Sequence, residues 1–150
     1  MPTTAPLNDS ELASTIRLSV LRTARRLRSQ RVNTAVTLSQ LSALVTVKKC
    51  GPLSAGEVAA IERVQPPSMT KILASLEAAE LIERAAHAED RRQAIISVTD
   101  AGRRLIDDET RARDEWLAER LAGLSAQDRE TLVRAAEVLD RLGSLDRLGS

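Results

Sequence analysis

The sequence predicts a mainly α fold with one small β-hairpin, and three observations carry that expectation. Hydrophobic residues make up 43% of the 150-residue chain but aromatic residues only 1%, with Trp116 the single one. A core of Leu, Val, Ile and Ala suits packed helices better than a sheet sandwich. Three helix starts carry the same capping pattern, and one Pro-started helix leads directly into two short apolar strands around a charged tip.

Each element has a local reason. Asn8, Thr37 and Ser54 are followed three residues on by Glu11, Gln40 and Glu57, the reciprocal pattern that satisfies free amides at a helix start. The flanking pairs Leu7/Leu12, Val36/Leu41 and Leu53/Val58 suit a hydrophobic staple. Helices therefore begin near residues 9, 38 and 55. The first runs to about Gln30 with Leu12, Ile16, Val20, Ala24 and Leu27 on one stripe, and the second ends at Cys50, before Gly51-Pro52. The third is short and reaches about Arg63.

A fourth helix opens at Pro66-Pro67, where fixed φ suits the first turn and the missing N–H groups are not needed. It ends near Glu80. Ile72, Leu73 and Leu76 face the core in this reading, which leaves Gln65, Ser68, Thr70, Lys71 and Ser75 as the polar face. Leu81–Ala86 and Gln93–Val98 read as two strands flanking His87 to Arg92, although their alternation is weak. Thr99 to Gly102 opens a long helix to about Gly123 carrying Leu105, Ala112 and Trp116. Ser125 with Asp128 caps a last helix bearing Leu132, Ala136 and Leu139.

Composition excludes several classes. The length fits about one domain. No apolar run approaches the roughly 18 residues a membrane helix needs, and MPTTAPLNDSE has neither the charged start nor the apolar stretch of a secretory signal, so a cytoplasmic protein is expected. One cysteine, Cys50, and one histidine, His87, provide no internal disulfide and no zinc cluster. No cofactor or metal is expected. The chain has no GxSxG elbow, Gly-rich phosphate loop or HExxH pair, so no catalytic residue is assigned and an enzyme is not the reading.

Charge is distributed unevenly. Residues 1–36 hold six arginines against two acidic residues, whereas residues 100–150 hold nine arginines against twelve. Arg22, Arg25, Arg26, Arg28 and Arg31 form a candidate phosphate-facing stripe, beside the plainer reading of a solvated helix face.

A short helix, a tight turn and a second helix make a helix-turn-helix. The hairpin that follows, with Asp90, Arg91 and Arg92 at its tip, makes it winged: one helix enters the major groove while the basic wing reaches the minor groove. Gln65, Ser68, Thr70, Lys71, Ser75, Arg91 and Arg92 are the candidate DNA-binding residues.

With PPSMTKILASLEAAELIER on the recognition helix and DRRQAIISVTDAGR across the wing, including Asp90 and Arg92 in an Asp-x-Arg pattern, the chain resembles MarR-family transcriptional regulators. The resemblance covers almost the whole chain. It implies a homodimer paired through the first, fifth and sixth helices (residues 9–32 and 100–142), with residues 37–99 as the winged reader and 143–150 as a tail. It further implies a repressor on a palindromic operator in double-stranded DNA, released by a small aromatic or phenolic ligand. Ser68, Thr70 and Lys71 match positions that contact bases or phosphates in the family, Arg92 matches the minor-groove arginine, and Asp90 would orient that arginine. The turn before the recognition helix often holds glycine in helix-turn-helix proteins and here holds Arg63, which predicts a different backbone turn.

Two alternatives remain open at this stage. A winged helix can serve as a protein-interaction module without sequence-specific DNA binding, though Lys71 and the wing arginines argue against it. A redox sensor acting through Cys50 is the other, but sensors of this family place cysteine near the first helix among tyrosines, and this chain has no tyrosine. Cys50 instead closes a helix, where carbonyl dipoles disfavour a thiolate, and is expected to be buried and structural. Trp116 is expected in a dimer core, with the wall of a ligand pocket as the sharper reading; His87 is expected to be a solvated loop residue. The tail repeats LDRLGS at 139–144 and 145–150 with no assigned role.

Overall fold

The computed structural model describes residues 7–144. The start MPTTAP and the second LDRLGS copy lie outside the described residues. Six helices and a small sheet follow one another as α1 (Asp9–Arg28), α2 (Leu38–Cys50), β1 (Leu53–Ser54), α3 (Ala55–Glu62), α4 (Pro66–Ala78), β2 (Ile82–Ala86), β3 (Ala94–Val98), α5 (Asp100–Ala122) and α6 (Ala126–Ser144). The chain divides into two compact units between Arg113 and Asp114.

All three capping boxes form, with both reciprocal bonds present at Asn8/Glu11, Thr37/Gln40 and Ser54/Glu57. Ser125 Oγ accepts the Asp128 N–H at 3.1 Å and starts α6 as expected. Caps are legible in sequence because donor and acceptor sit three residues apart.

The core of the first unit is built by Leu41, Leu44 and Val47 of α2, Val58 of α3, Met69, Leu73 and Leu76 of α4, Ile82 of β2, Ile96 and Val98 of β3, and Ile106 of α5. Met69 replaces Ile72 on the buried face of α4. Ile72 is only partly buried, because positions 69, 73 and 76 follow the helical repeat and 72 falls at its margin.

The β-region differs from the expected two-stranded hairpin. β1 adds a third strand, giving the antiparallel order β1-β3-β2 with Leu53 opposite Ile96 and Ser54 opposite Ile95. Two residues carry no readable period, so this strand is fixed only by its distant partner. The outer part of β2 is exposed on both faces after Ile82, which explains the weak alternation read there.

α3 and α4 end alike. Arg63 adopts φ 53°, ψ 42°, and Glu80 adopts φ 58°. In each case the following amide reaches back five residues, Val64 N to Ala59 O and Leu81 N to Leu76 O, both at 3.0 Å. These are Schellman turns in which an arginine and a glutamate occupy the left-handed position usually held by glycine. The expectation that Arg63 would change the turn is thus corrected: the ordinary turn forms, and the arginine bears the conformational cost.

Glycine is required elsewhere. A Cβ on Gly102 would lie 2.2 Å from the Leu81 carbonyl oxygen and 2.7 Å from Val98 Cγ1, so the first turn of α5 can approach the sheet only without a side chain. Thr99 completes this junction, its hydroxyl donating to Glu80 O at 2.7 Å and accepting the Gly102 N–H at 3.1 Å.

In the second unit Arg120 stacks its guanidinium 3.7 Å from the centroid of the Trp116 ring. No residue of α6 with a described side chain is buried: Leu132, Val133, Val138, Leu139 and Leu142 are exposed large apolar side chains. α1, in the first unit, likewise has no buried residue and exposes Leu12, Leu18, Val20 and Leu21.

Candidate nucleic-acid interface

α4 owes its place to the burial of Met69, Leu73 and Leu76, each no more than 1% exposed. That packing turns Gln65, Ser68, Thr70, Lys71 and Ser75 outward, and all five are exposed. The Thr70 hydroxyl donates to the Pro66 carbonyl at 3.0 Å, so its proton is committed within the helix and its lone pairs face out. Among the described residues Gln65, Ser68, Lys71 and Ser75 make no side-chain hydrogen bond or ion pair, and their polar groups remain available.

The wing tip is a defined turn. His87 N donates to Gln93 O and Gln93 N donates to Asp90 O, both at 3.0 Å. Inside this turn the Asp90 carboxylate accepts the backbone N–H of Arg92 at 3.0 Å. The acid therefore meets Arg92 at its backbone and not at its guanidinium. Arg91 and Arg92 are exposed and form no ion pair among the described residues. Arg84, further down the wing, is paired with Glu77 of α4 at 2.8 Å and ties the hairpin to the helix.

The arginine stripe of α1 is not a unit. Arg22, Arg25, Arg26 and Arg28 are exposed, the last three in the final turn, where positive charge complements the helix dipole. Arg31 is different. Its Nε lies 3.2 Å from Glu109 Oε2 and its Nη2 donates to the carbonyls of Asn33 and Val36. Glu109, 1% exposed, also accepts the backbone N–H groups of Val32 and Asn33 at 3.3 and 3.0 Å. Arg31 is thus an internal clamp on the α1–α2 connection rather than a phosphate contact. Glu109 stands in the charged run DDETRARDE, where nothing in sequence separates it from its solvated neighbours.

A cavity of about 750 Å³ opens among α1, α2, α4 and the end of the first unit. Its wall combines Leu27, Leu41, Val45, Met69 and Ile72 with the cations Arg28, Lys49 and Arg113. Arg113 Nε is buried and has no hydrogen-bond partner among the described residues. Sequence reasoning placed Arg28 in the α1 stripe and missed its grouping with Lys49 and Arg113, because the three come from separate helices. A smaller cavity of about 350 Å³ lies beside Glu109.

Cys50 ends α2 as expected but is exposed, not buried. The helix stops there and Gly51 turns the chain, so the last side chain is left outside the core.

The MarR family model matches residues 36–94, the span from the α1–α2 connection through β2 to the start of β3. An HTH-type transcriptional regulator of Mycobacterium tuberculosis is 45% identical over 132 residues, covering 88% of this chain and 92% of that protein. The chain belongs to the MarR family. It is accordingly a DNA-binding winged helix-turn-helix regulator of transcription and not an enzyme. A crystal structure of a candidate transcriptional regulator of Pseudomonas aeruginosa agrees in fold at TM-score 0.81 with 32% identity, covering 93% of this chain and 98% of that one. A mutant of Staphylococcus aureus MepR bound to an oligodeoxyribonucleotide shares the fold at TM-score 0.68 and 22% identity, covering 89% and 97%. Among the described residues no helix is long and apolar enough to cross a membrane.

Proposed function

We propose that this MarR-family regulator is a cytoplasmic homodimeric repressor of a palindromic operator. The observation that carries the reading is the pairing of two free polar surfaces: the outward face of α4 and the wing tip with Arg91 and Arg92. Ser68, Thr70, Lys71, Gln65 and Ser75 suit base and phosphate contacts in a major groove, and a guanidinium suits the negative potential of the flanking minor groove. The DNA-bound MepR relative supports the same use of the shared fold.

Dimerisation is supported separately. α1 and α6 each expose a run of large apolar side chains with no buried residue among the described ones, more than a lone soluble chain ordinarily leaves to water. In this reading residues 9–32 and 100–142 pair with a second copy, and residues 37–99 read DNA. A two-fold protein matches a two-fold operator.

The regulating ligand is a small aromatic acid held in the larger cavity. Its apolar wall suits a ring, and Arg28 and Lys49 suit a carboxylate beside Glu62, while Arg113, whose Nη2 pairs with Glu109 at 3.7 Å, keeps its buried Nε as a further donor. Anisotropy titration of labelled duplex with and without salicylate tests the whole reading. Tight binding to a selected duplex and its release by salicylate is the expected result.

A further inference from the structure

The wing turn is closed by an imidazole. His87 Nδ1 accepts two backbone N–H groups, those of Glu89 and Asp90, each at 3.1 Å. A ring nitrogen that accepts hydrogen bonds carries no proton, so this turn requires neutral His87 with its proton on Nε2. The Asp90 amide held in this way belongs to the residue whose carboxylate fixes the Arg92 backbone. One chain of bonds therefore runs from the imidazole through Asp90 to the wing arginine.

An anionic group lies within electrostatic reach of the same ring. Glu57, at the start of α3, would attract the ring once it carries a proton. Its carboxyl is held below the usual carboxylate range, first by the Ser54 backbone N–H, 2.7 Å away, then by the Ser54 hydroxyl, with burial opposing and His87 adding a smaller attraction. Glu57 thus stays charged where histidines titrate. The turn itself carries four more charged residues, Glu89, Asp90, Arg91 and Arg92.

We propose that His87 is the positioning residue of the wing, whose neutral imidazole holds the turn that presents Arg91 and Arg92 and whose protonation releases it. A proton on Nδ1 removes the acceptor for both amides and gives the ring a charge attracted to Glu57. The wing then loses its defined tip, and the arginines lose their fixed approach to the minor groove. This inference rests on the DNA-binding reading. His87 is the only histidine in the chain.

The test uses the full chain, a duplex selected from a random pool, and three proteins: wild type, His87→Asn and His87→Gln. Asparagine places its side-chain oxygen near the position of Nδ1; glutamine carries the oxygen one bond further. Operator affinity at fixed salt and the amide signals of Glu89 and Asp90 are followed from about pH 8 to about pH 5. Wild type is expected to lose about tenfold in affinity on acidification, the scale set by two hydrogen bonds, while both amides lose protection relative to their intrinsic exchange rates. His87→Asn should rescue a flat pH profile, and His87→Gln at neutral pH should resemble the acidified wild type. An equal acid loss in His87→Asn, or wild-type amides whose protection does not fall on acidification, overturns the proposal. If wild type binds no duplex at any pH, the DNA-binding reading fails, and the amide signals alone still decide whether His87 holds the turn.

Discussion

Asp90 holds Arg92 through the backbone: its carboxylate accepts the Arg92 N–H at 3.0 Å and leaves the guanidinium unpaired. Arg92→Ala should therefore weaken operator binding most where flanking sequence is A·T-rich, since a narrow minor groove concentrates negative potential. Asp90→Ala should give a smaller version of the same defect, and Asp90→Asn, which keeps an acceptor oxygen, should give less still. The double mutant should be no worse than Arg92→Ala alone. Additive losses, measured by anisotropy at one salt concentration, would show that Asp90 does not work through Arg92.

Lys71 stands exposed on the outer face of α4 without an ion pair among the described residues. If it reads a base, Lys71→Ala should cost roughly 1 to 3 kcal/mol on the selected site and less on random DNA. If it contacts phosphate, both should fall together and the salt slope should drop by about one. An unchanged affinity in both titrations contradicts the docking of this helix.

Glu109 is 1% exposed and joins α5 to the α1–α2 connection through Arg31, 14% exposed, and two backbone amides. Glu109→Ala leaves a largely buried guanidinium unpaired, and a loss of about 3 to 5 kcal/mol in urea unfolding is expected. Glu109→Gln should lose less, because an acceptor oxygen for the Val32 and Asn33 amides remains. A midpoint unchanged by Glu109→Ala would show that the clamp does not hold this connection.

The fold was largely legible in sequence, and the limits have physical causes. Caps at Asn8, Thr37 and Ser54 are local, so their helices began where the pattern placed them. Arg63 was misread because sequence shows the residue type but not that tertiary packing will hold an arginine at φ 53°. β1 and the Arg31–Glu109 clamp depend on residues far apart in sequence, 78 positions in the second case, and no spacing announces such pairs. At the candidate interface, α4 and the wing tip can be delimited as elements from sequence because they are contiguous runs. The grouping of Arg28, read only as part of the α1 stripe, with Lys49 and Arg113 is not legible there, because only the folded chain brings them together.

Arg113 should be the ligand's anchor. Arg113→Met keeps length but removes the buried donor, and salicylate affinity followed by calorimetry should fall about tenfold or more, ~1.4 kcal/mol per factor of ten. DNA affinity without ligand should change far less. To release DNA, the ligand must favour the non-binding conformation. Salicylate bound equally by both proteins would place the ligand elsewhere.

The most direct test of the central claim is selection of bound duplexes from a random pool by the purified full-length chain, with the mass of the complex measured by light scattering. A dimer enriching an inverted repeat with half-site centres about 10 base pairs apart, one DNA turn, is the predicted result. A pool that shows no enriched sequence, or a monomer on a single unrepeated site, would contradict the account.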